Sequence, residues 1–289
     1  MKEKCLISFS GGRTSAYMMY RLINEYSDKY EFKVVYANTG KEDEKTLEFI
    51  DKCSKEWNID IVWVEGVYRD DNGKPFSKKG WSVRHKVVNF ETASRNGEPF
   101  EELISLLGIP SDNAPFCSFQ LKKYPIESYM KSIGWKKYKI AIGIRNDEVD
   151  RISLGATKRG VIYPLIQKEF FPTIKPTILA WFKINSFDLT CSPNLGNCDF
   201  CYKKGIETHI KAIEDKPNGL DWWQDMTNKY SHFMPREMKK GFNPPYNFYR
   251  KNMSPSDLLA LKKLSDRQLK IIFEEEKLSG CSESCEVEW

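Results

Sequence analysis

The sequence predicts an α/β fold: a doubly wound, mostly parallel, five-stranded sheet followed by a C-terminal, cysteine-bearing and mostly helical appendage. Three observations lead there. Short apolar runs alternate with segments of helical period as far as Leu165, glycine and polar residues gather just after these runs, and five of the eight cysteines fall from residue 191 onward. Residues 5–9 (CLISF) form a continuous apolar run of the kind found in a strand covered on both faces. Ala16, Met19, Tyr20 and Ile23 then recur at i, i+3, i+4 and i+7, one buried face of a helix. Residues 32–37 read as the second strand, 44–57 as a helix and 60–64 as the third strand. A long excursion, residues 66–137, opens on the turn-rich DDNGKPFSKKG and holds a helix around 100–107. Excursions of this size commonly build the substrate side of a site. Residues 138–144 and 161–165 complete the five strands. We therefore expect a nucleotide-type domain over residues 1–184 and a separate C-terminal region over 185–289. In that region residues 256–277 read as one or two charged helices, with Ser265 as a cap.

No apolar run approaches the roughly 20 residues of a membrane helix, so no membrane association is expected. Met1-Lys2-Glu3-Lys4 leads straight into a strand without a signal-peptide pattern, and the expected location is cytoplasmic. The net charge of +5 favours anionic ligands but falls short of a nucleic-acid footprint.

Between the first strand and its helix lies Ser10-Gly11-Gly12-Arg13-Thr14-Ser15. The two glycines let the backbone curl and approach a ligand. Ser10, Thr14 and Ser15 add hydroxyls beside the free N–H groups of the helix start, which together make an anion cradle. No Gly-Lys-Ser/Thr follows at Walker A spacing, nor is there a G-x-G-x-x-G. The plainer reading is a glycine turn with a helix cap and no ligand. In doubly wound sheets ligands sit at the carboxyl ends of strands. Here those ends carry Asn38-Thr39-Gly40 and Gly143-Ile144-Arg145-Asn146-Asp147-Glu148. Asn38 and Thr39 are suited to a ribose or base, and the guanidinium of Arg145 to phosphate or sulfate.

CSPNLGNCDFC spaces Cys191, Cys198 and Cys201 as C-x6-C-x2-C, in which the x2 pair can grip one metal from a tight loop. Reduced cysteines without metal are the alternative. Cys5 and Cys53 fall in a strand and a helix, as small buried hydrophobes. Cys281 and Cys285, in a polar tail, are either redox-active or alternative ligands. His85, His209 and His232 lack any spacing that marks a triad or zinc motif, and read as surface or packing residues. The aromatic and basic stretch 222–251 would either stack on a nucleic acid strand or pack a small appendage.

Taken in order, the 10–15 loop, Asn38-Thr39-Gly40, PFCSFQLKKYPIESYM, GIRNDEVDR and Tyr163-Pro164-Leu165 resemble the phosphoadenosine phosphosulfate reductase family of the PP-loop, HUP-like superfamily. The resemblance runs from about Lys4 to Gly205, and VVNFETASRNGEPFEELI is similar to the version carried by phages and mobile elements. It implies that Ser10, Gly11, Gly12, Arg13, Thr14 and Ser15 hold phosphates of ATP or phosphoadenosine phosphosulfate. Asn38, Thr39 and Gly40 would flank the adenosine, and Gly143, Arg145, Arg151, Lys122 and Lys123 would line the anionic end. Arg145, Lys122 and Cys117 are the implied catalytic residues. Cys117, in the PFCSF motif, becomes the preferred fourth ligand of a zinc or [4Fe–4S] site with Cys191, Cys198 and Cys201. Spacing does not choose between the two.

Two departures stand out. Position 14 is Thr where ATP-cleaving PP-loop enzymes usually carry a magnesium-contacting Asp, and the end reads GCSESCEVEW instead of the Cys-Gly-Leu-His tail of thioredoxin-linked reductases. The expected function is an adenine-nucleotide-binding oxidoreductase of sulfur metabolism, with magnesium and a thiol reductant such as thioredoxin as candidate participants. The alternatives are a PP-loop ATP-dependent sulfurtransferase or nucleic-acid-modifying enzyme, and a non-catalytic nucleotide-binding accessory protein.

Overall fold

The structure is a computed structural model that describes residues 2–76, 82–152, 155 and 157–278. Along the chain run β1 (Glu3–Phe9), α1 (Arg13–Tyr26), β2 (Tyr30–Ala37), α2 (Glu44–Trp57), β3 (Ile61–Val67), β4 (Arg84–Val88), α3 (Glu98–Leu107), α4 (Tyr124–Ser132), β5 (Lys139–Ala141) and β6 (Val161–Ile162). They are followed by α5 (Lys175–Lys183), α6 (Ile206–Asp215), α7 (Asp221–Tyr230), α8 (Pro255–Leu261) and α9 (Asp266–Leu278). Among the described residues no helix is long and apolar enough to cross a membrane.

β1 lies inside the sheet, and its side chains alternate between two apolar layers. Cys5, Ile7 and Phe9 pack with Ala16 and Met19 of α1, Leu47 and Ile50 of α2 and Phe182 of α5, while Leu6 packs with Ile126 and Met130 of α4. A strand buried on both sides needs the unbroken apolar run that residues 5–9 provide. Cys53 on α2 is likewise fully buried, and burial pushes the thiols of Cys5 and Cys53 up, Cys5 to about 12.

The sheet order is β4-β3-β2-β1-β5-β6, with every pair parallel except β3 and β4. All five strands expected from sequence are present, and a sixth joins them. β4, inside the excursion, pairs antiparallel along the outer edge of β3, and the side-chain amine of Lys86 reaches the Glu65 carboxylate at 2.8 Å. Its sequence, RHKVV, is charged and half exposed because it is an edge strand, which deprives it of an apolar signature. The chain proceeds from β1 outward to β3, then returns past β1 to β5 and β6. The carboxyl ends of β1 and β5 therefore flank the switch point of the sheet.

A second apolar cluster joins the excursion to the C-terminal region. Phe100, Phe116 and Leu121 pack there with Phe200, Trp223 and Phe248. Ser265 caps α9 by half of a capping box, its backbone N–H and hydroxyl both donating to Gln268 Oε1 at 3.0 and 2.8 Å.

His209 of α6 is buried in this cluster, parallel to the Phe200 ring at 6.4 Å and edge-on to Tyr249 at 4.8 Å. Burial, with Lys204 and Arg250 nearby, pushes its pKa down to about 3. The folded protein holds this ring neutral, whereas the unfolded chain charges it near 6.5. Its stabilising contribution is complete above about pH 6.5 and is lost as pH falls toward 3. Folding stability should drop by about 2 kcal/mol between pH 7.5 and 5 on this account. Denaturant titrations should show a clearly smaller drop in His209→Phe, and an equal drop would remove His209 as the cause.

Candidate functional site at the carboxyl edge of the sheet

The turn after β1 needs glycine at position 11. Gly11 has φ +78°, and a Cβ there would meet Ile50 Cδ1 at 2.8 Å. The hydroxyls of Ser10 and Ser15 lie 2.9 Å apart, the Ser10 N–H reaches Ser15 Oγ at 3.3 Å, and Ser15 Oγ donates to the Gly12 carbonyl at 3.0 Å. Gly12 is the N-cap of α1 in an extended conformation, and no side chain caps the helix. The turn is thus held from within, and the first N–H groups of α1 have no side-chain cap.

These residues form one wall of a cleft of about 190 Å³, which Ser10 to Thr14 share with Thr46 of α2, Arg151, Leu189, Gly196 and Asn197. Arg13 acts as a clamp at this wall: Nε and Nη2 donate to the two oxygens of Asp188 at 2.6 and 3.0 Å, and Nη2 also donates to the Leu189 carbonyl. The pair fastens the start of α1 to the segment that leads to Cys191. Gly143 brings the end of β5 against the same loop, where a Cβ would lie 3.1 Å from Ser15 Cα.

Arg145 donates to Thr14 Oγ1 at 3.2 Å through Nη1, while its fork faces Asp147 at 3.0 and 3.3 Å. Its Nη2 also lies 3.0 Å from Glu148, and Arg151 donates to the same Glu148 oxygen at 2.8 Å. Two guanidiniums and two carboxylates thus stand together beside the Ser10–Ser15 turn. Although burial opposes it, the hydrogen bonds and charge of Arg145 hold the Asp147 carboxyl below its ordinary range. An incoming anion would compete with these carboxylates for Arg145.

The end of β2 is turned inward. Asn38 donates both amide hydrogens, to Glu65 at 2.6 Å and to the Ser94 carbonyl at 2.9 Å, and its oxygen accepts from Gly40 N–H at 3.3 Å. Glu65, fully buried, also takes the N–H and hydroxyl of Ser94, so this carboxylate latches the excursion onto the sheet. Thr39 donates to both oxygens of Glu42 at 2.9 Å and lies 3.2 Å from Cys198 Sγ. Gly40 packs against Gly97, and Gly97 against the ring of Trp222, so that Cβ atoms would meet these neighbours at 3.1 and 2.5 Å.

The cysteine segment docks on this strand end. Glu42 and Cys198 form an antiparallel bridge, and Asp199 N–H donates to the Lys41 carbonyl at 2.7 Å. Asp199 is buried between Lys216 at 2.8 Å, Lys41 at 3.6 Å and the Trp223 indole N–H at 3.0 Å. The Lys204 amine donates to the carbonyls of Asn194 and Cys198 at 2.9 and 3.0 Å. Cys117, Cys198 and Cys201 line one cavity of about 10 Å³ with Thr39, Ser118 and Lys122. Cys117 enters it just before a π-helical turn, Phe119–Lys123, and its thiol lies 3.9 Å from the Tyr202 hydroxyl. π-Turns recur at functional sites. The carboxyl of Glu42 is pushed up by burial and drawn back by Lys122.

Cys191 stands apart from this cavity, beside Thr46 and Asp43, and burial raises its thiol. Among the described residues no group of three or more His, Cys, Asp or Glu is arranged to hold a metal ion. The cavity has room for about one water-sized sphere. Cys117, Cys198 and Cys201 thus line one cavity while Cys191 is absent from its lining, and the four cysteines expected as one ligand set are not brought together as arranged. Cys281 and Cys285 lie outside the described residues.

Of the cations expected at the anionic end, Arg145 and Arg151 stand at the Ser10–Ser15 turn. Lys122 lines the thiol cavity, and Lys123 lies 3.9 Å from Glu127 on α4. In the aromatic stretch, Trp223, Tyr246 and Tyr249 are buried, and Arg250 pairs with Glu276 at 2.8 Å. Sequence reading missed Glu42, Glu65, Asp188 and Asn197. Asp188 lies 175 positions from its partner Arg13, beyond the reach of any local pattern.

A glycine turn after the central strand, at the switch point of a mostly parallel sheet, defines a PP-loop class of nucleotide-binding fold. The chain matches the phosphoadenosine phosphosulfate reductase domain family over residues 4–150, just over half its length, and belongs to that family. It is similar to the uncharacterized nin region protein ORF290 of Escherichia phage lambda, with 28% identity over 289 residues, 98% of this chain and 94% of the relative. No solved structure matches the chain significantly.

Proposed function

We propose that this protein binds an adenine nucleotide with its phosphates at the Ser10–Ser15 turn and acts on a sulfonucleotide or related adenylated substrate. One observation carries the reading: the α1 start, Arg151 and the Gly196-Asn197 turn of the cysteine segment line a single cleft at the switch point, and Arg145 is hydrogen-bonded to Thr14 of its wall. Thr14 is hydrogen-bonded to Arg145, and the Ser10–Ser15 loop contains no carboxylate to carry magnesium. This favours a reductase-like reaction over ATP cleavage. Lys122, which lines the thiol cavity with Thr39, is the group that would meet the reacting sulfur, and a dithiol reductant such as thioredoxin would supply electrons. Cys117, Cys198 and Cys201 are the proposed thiolate ligands of zinc or an iron–sulfur cluster, with Cys191 the fourth candidate. No catalytic step is assigned to that group.

The test is incubation with phosphoadenosine phosphosulfate and reduced thioredoxin, reading sulfite and nucleotide product. Arg145→Lys should lower turnover at least tenfold despite its conserved charge, because lysine cannot span Thr14 and Asp147 at once. Wild-type turnover in that variant would remove Arg145 from the reaction. Tight nucleotide binding without turnover would mark a non-catalytic accessory protein, and pyrophosphate release from ATP would mark a PP-loop transferase.

A further inference from the structure

We infer that Asn197, from the cysteine segment, is a ligand of the anion held in the phosphate cleft, its carboxamide N–H donating to a phosphoryl or sulfonyl oxygen. The inference rests on the nucleotide reading above and adds a residue from outside the nucleotide-binding loop. Asn197 lines the cleft together with Ser10 to Thr14 and Arg151. It is half-buried and makes no side-chain hydrogen bond among the described residues. An amide with two donors and an acceptor, lining a cleft beside a helix N-terminus, is equipped to take a ligand oxyanion.

The backbone sharpens the point. Asn197 has φ +59°, a left-handed conformation that glycine adopts most readily, whereas its neighbour Gly196 has φ −58° and ψ 150°, open to any residue. The chain therefore carries a side chain where the backbone would prefer none. Asparagine is among the few residues besides glycine that hold this conformation, and here its carboxamide lines the cleft without a hydrogen-bond partner among the described residues. Its position is fixed from both directions. Asp188 is clamped by Arg13, and the Lys204 amine holds the carbonyls of Asn194 and Cys198 on either side of the turn. The next residue of the same segment, Cys198, lines the thiol cavity.

Asn197→Gly relieves the left-handed backbone while deleting only the carboxamide, which separates binding from folding. Calorimetric titration with ATP and with phosphoadenosine phosphosulfate, alongside thermal midpoints, gives the test. We expect Asn197→Gly to melt at or above the wild-type midpoint yet bind at least about tenfold more weakly. This is the scale of a hydrogen bond to a charged group. Asn197→Asp should bind more weakly still, because a carboxylate would face the anion. Wild-type affinity in either variant, while Gly12→Asp abolishes binding, would overturn the role of Asn197 and leave the nucleotide reading standing. A wild-type protein that binds neither nucleotide would overturn both.

Discussion

Gly12→Asp should abolish adenine-nucleotide binding and leave the protein folded. Position 12 is the N-cap of α1 with φ −96° and ψ 161°, a conformation open to any residue, and a Cβ there would have only Ser10 Oγ near it, at 3.8 Å. Aspartate is among the best N-cap residues, and its carboxylate would also favour the positive end of the helix dipole. Thermal stability should hold or rise by a few tenths to about 1 kcal/mol. The same carboxylate would occupy the place argued for phosphates. At an effective dielectric near 20, two unit charges about 4 Å apart repel by roughly 4 kcal/mol, close to a thousandfold in affinity. Calorimetry and melting on one preparation check both halves. A stable variant with undiminished affinity would mean that phosphates bind elsewhere.

Cys→Ser substitutions should sort the cysteines by where they stand in the fold. Cys117, Cys198 and Cys201 share one cavity, so each serine variant is expected to lower metal occupancy more than tenfold. Cys191→Ser should have the weakest effect of the four, because this thiol lies beside Thr46 and Asp43 and outside the cavity. Cys5→Ser and Cys53→Ser should have none, since both thiols are sealed in the α/β core. The variants should remain folded, because Asp199 and Lys204 anchor the segment without calling on any thiol. Elemental analysis after anaerobic purification reads the result: brown protein with acid-labile sulfide indicates an iron–sulfur cluster, and colourless protein with zinc a single ion. Full occupancy in Cys117→Ser, or a metal-free wild type, would break the ligand set.

Where local chemistry sufficed, the sequence was readable. The 5–9 run became β1, the Ala16/Met19 face of α1 was buried as its period required, and α2 took the span 44–57. The Ser10–Ser15 turn could be read because glycines between a strand and a helix have few other uses. What resisted reading depended on partners distant in sequence. β4 carries no apolar alternation, and its place comes from hydrogen bonds to β3. Asn38 looks like a ligand donor in a strand-end loop, yet Glu65 and Ser94 take both of its donors. Arg13 sits in the loop itself but turns to Asp188. C-x2-C spacing identified a paired loop, while the separation of Cys191 from it depends on how the intervening turn lies over the cleft. In each case the placement depends on residues far apart in sequence, and such contacts obey no local period.

The central claim is that an adenine nucleotide sits at the carboxyl edge of the sheet with its phosphates on the turn after β1. A crystal structure of the protein grown with phosphoadenosine phosphosulfate or ATP tests it most directly. The account predicts density for the phosphates within hydrogen-bond distance of the N–H groups of residues 12–15, with Arg145 or Arg151 turned from Glu148 toward the anion. Nucleotide density at any other place on the molecule, with the Ser10–Ser15 turn bare, would contradict it.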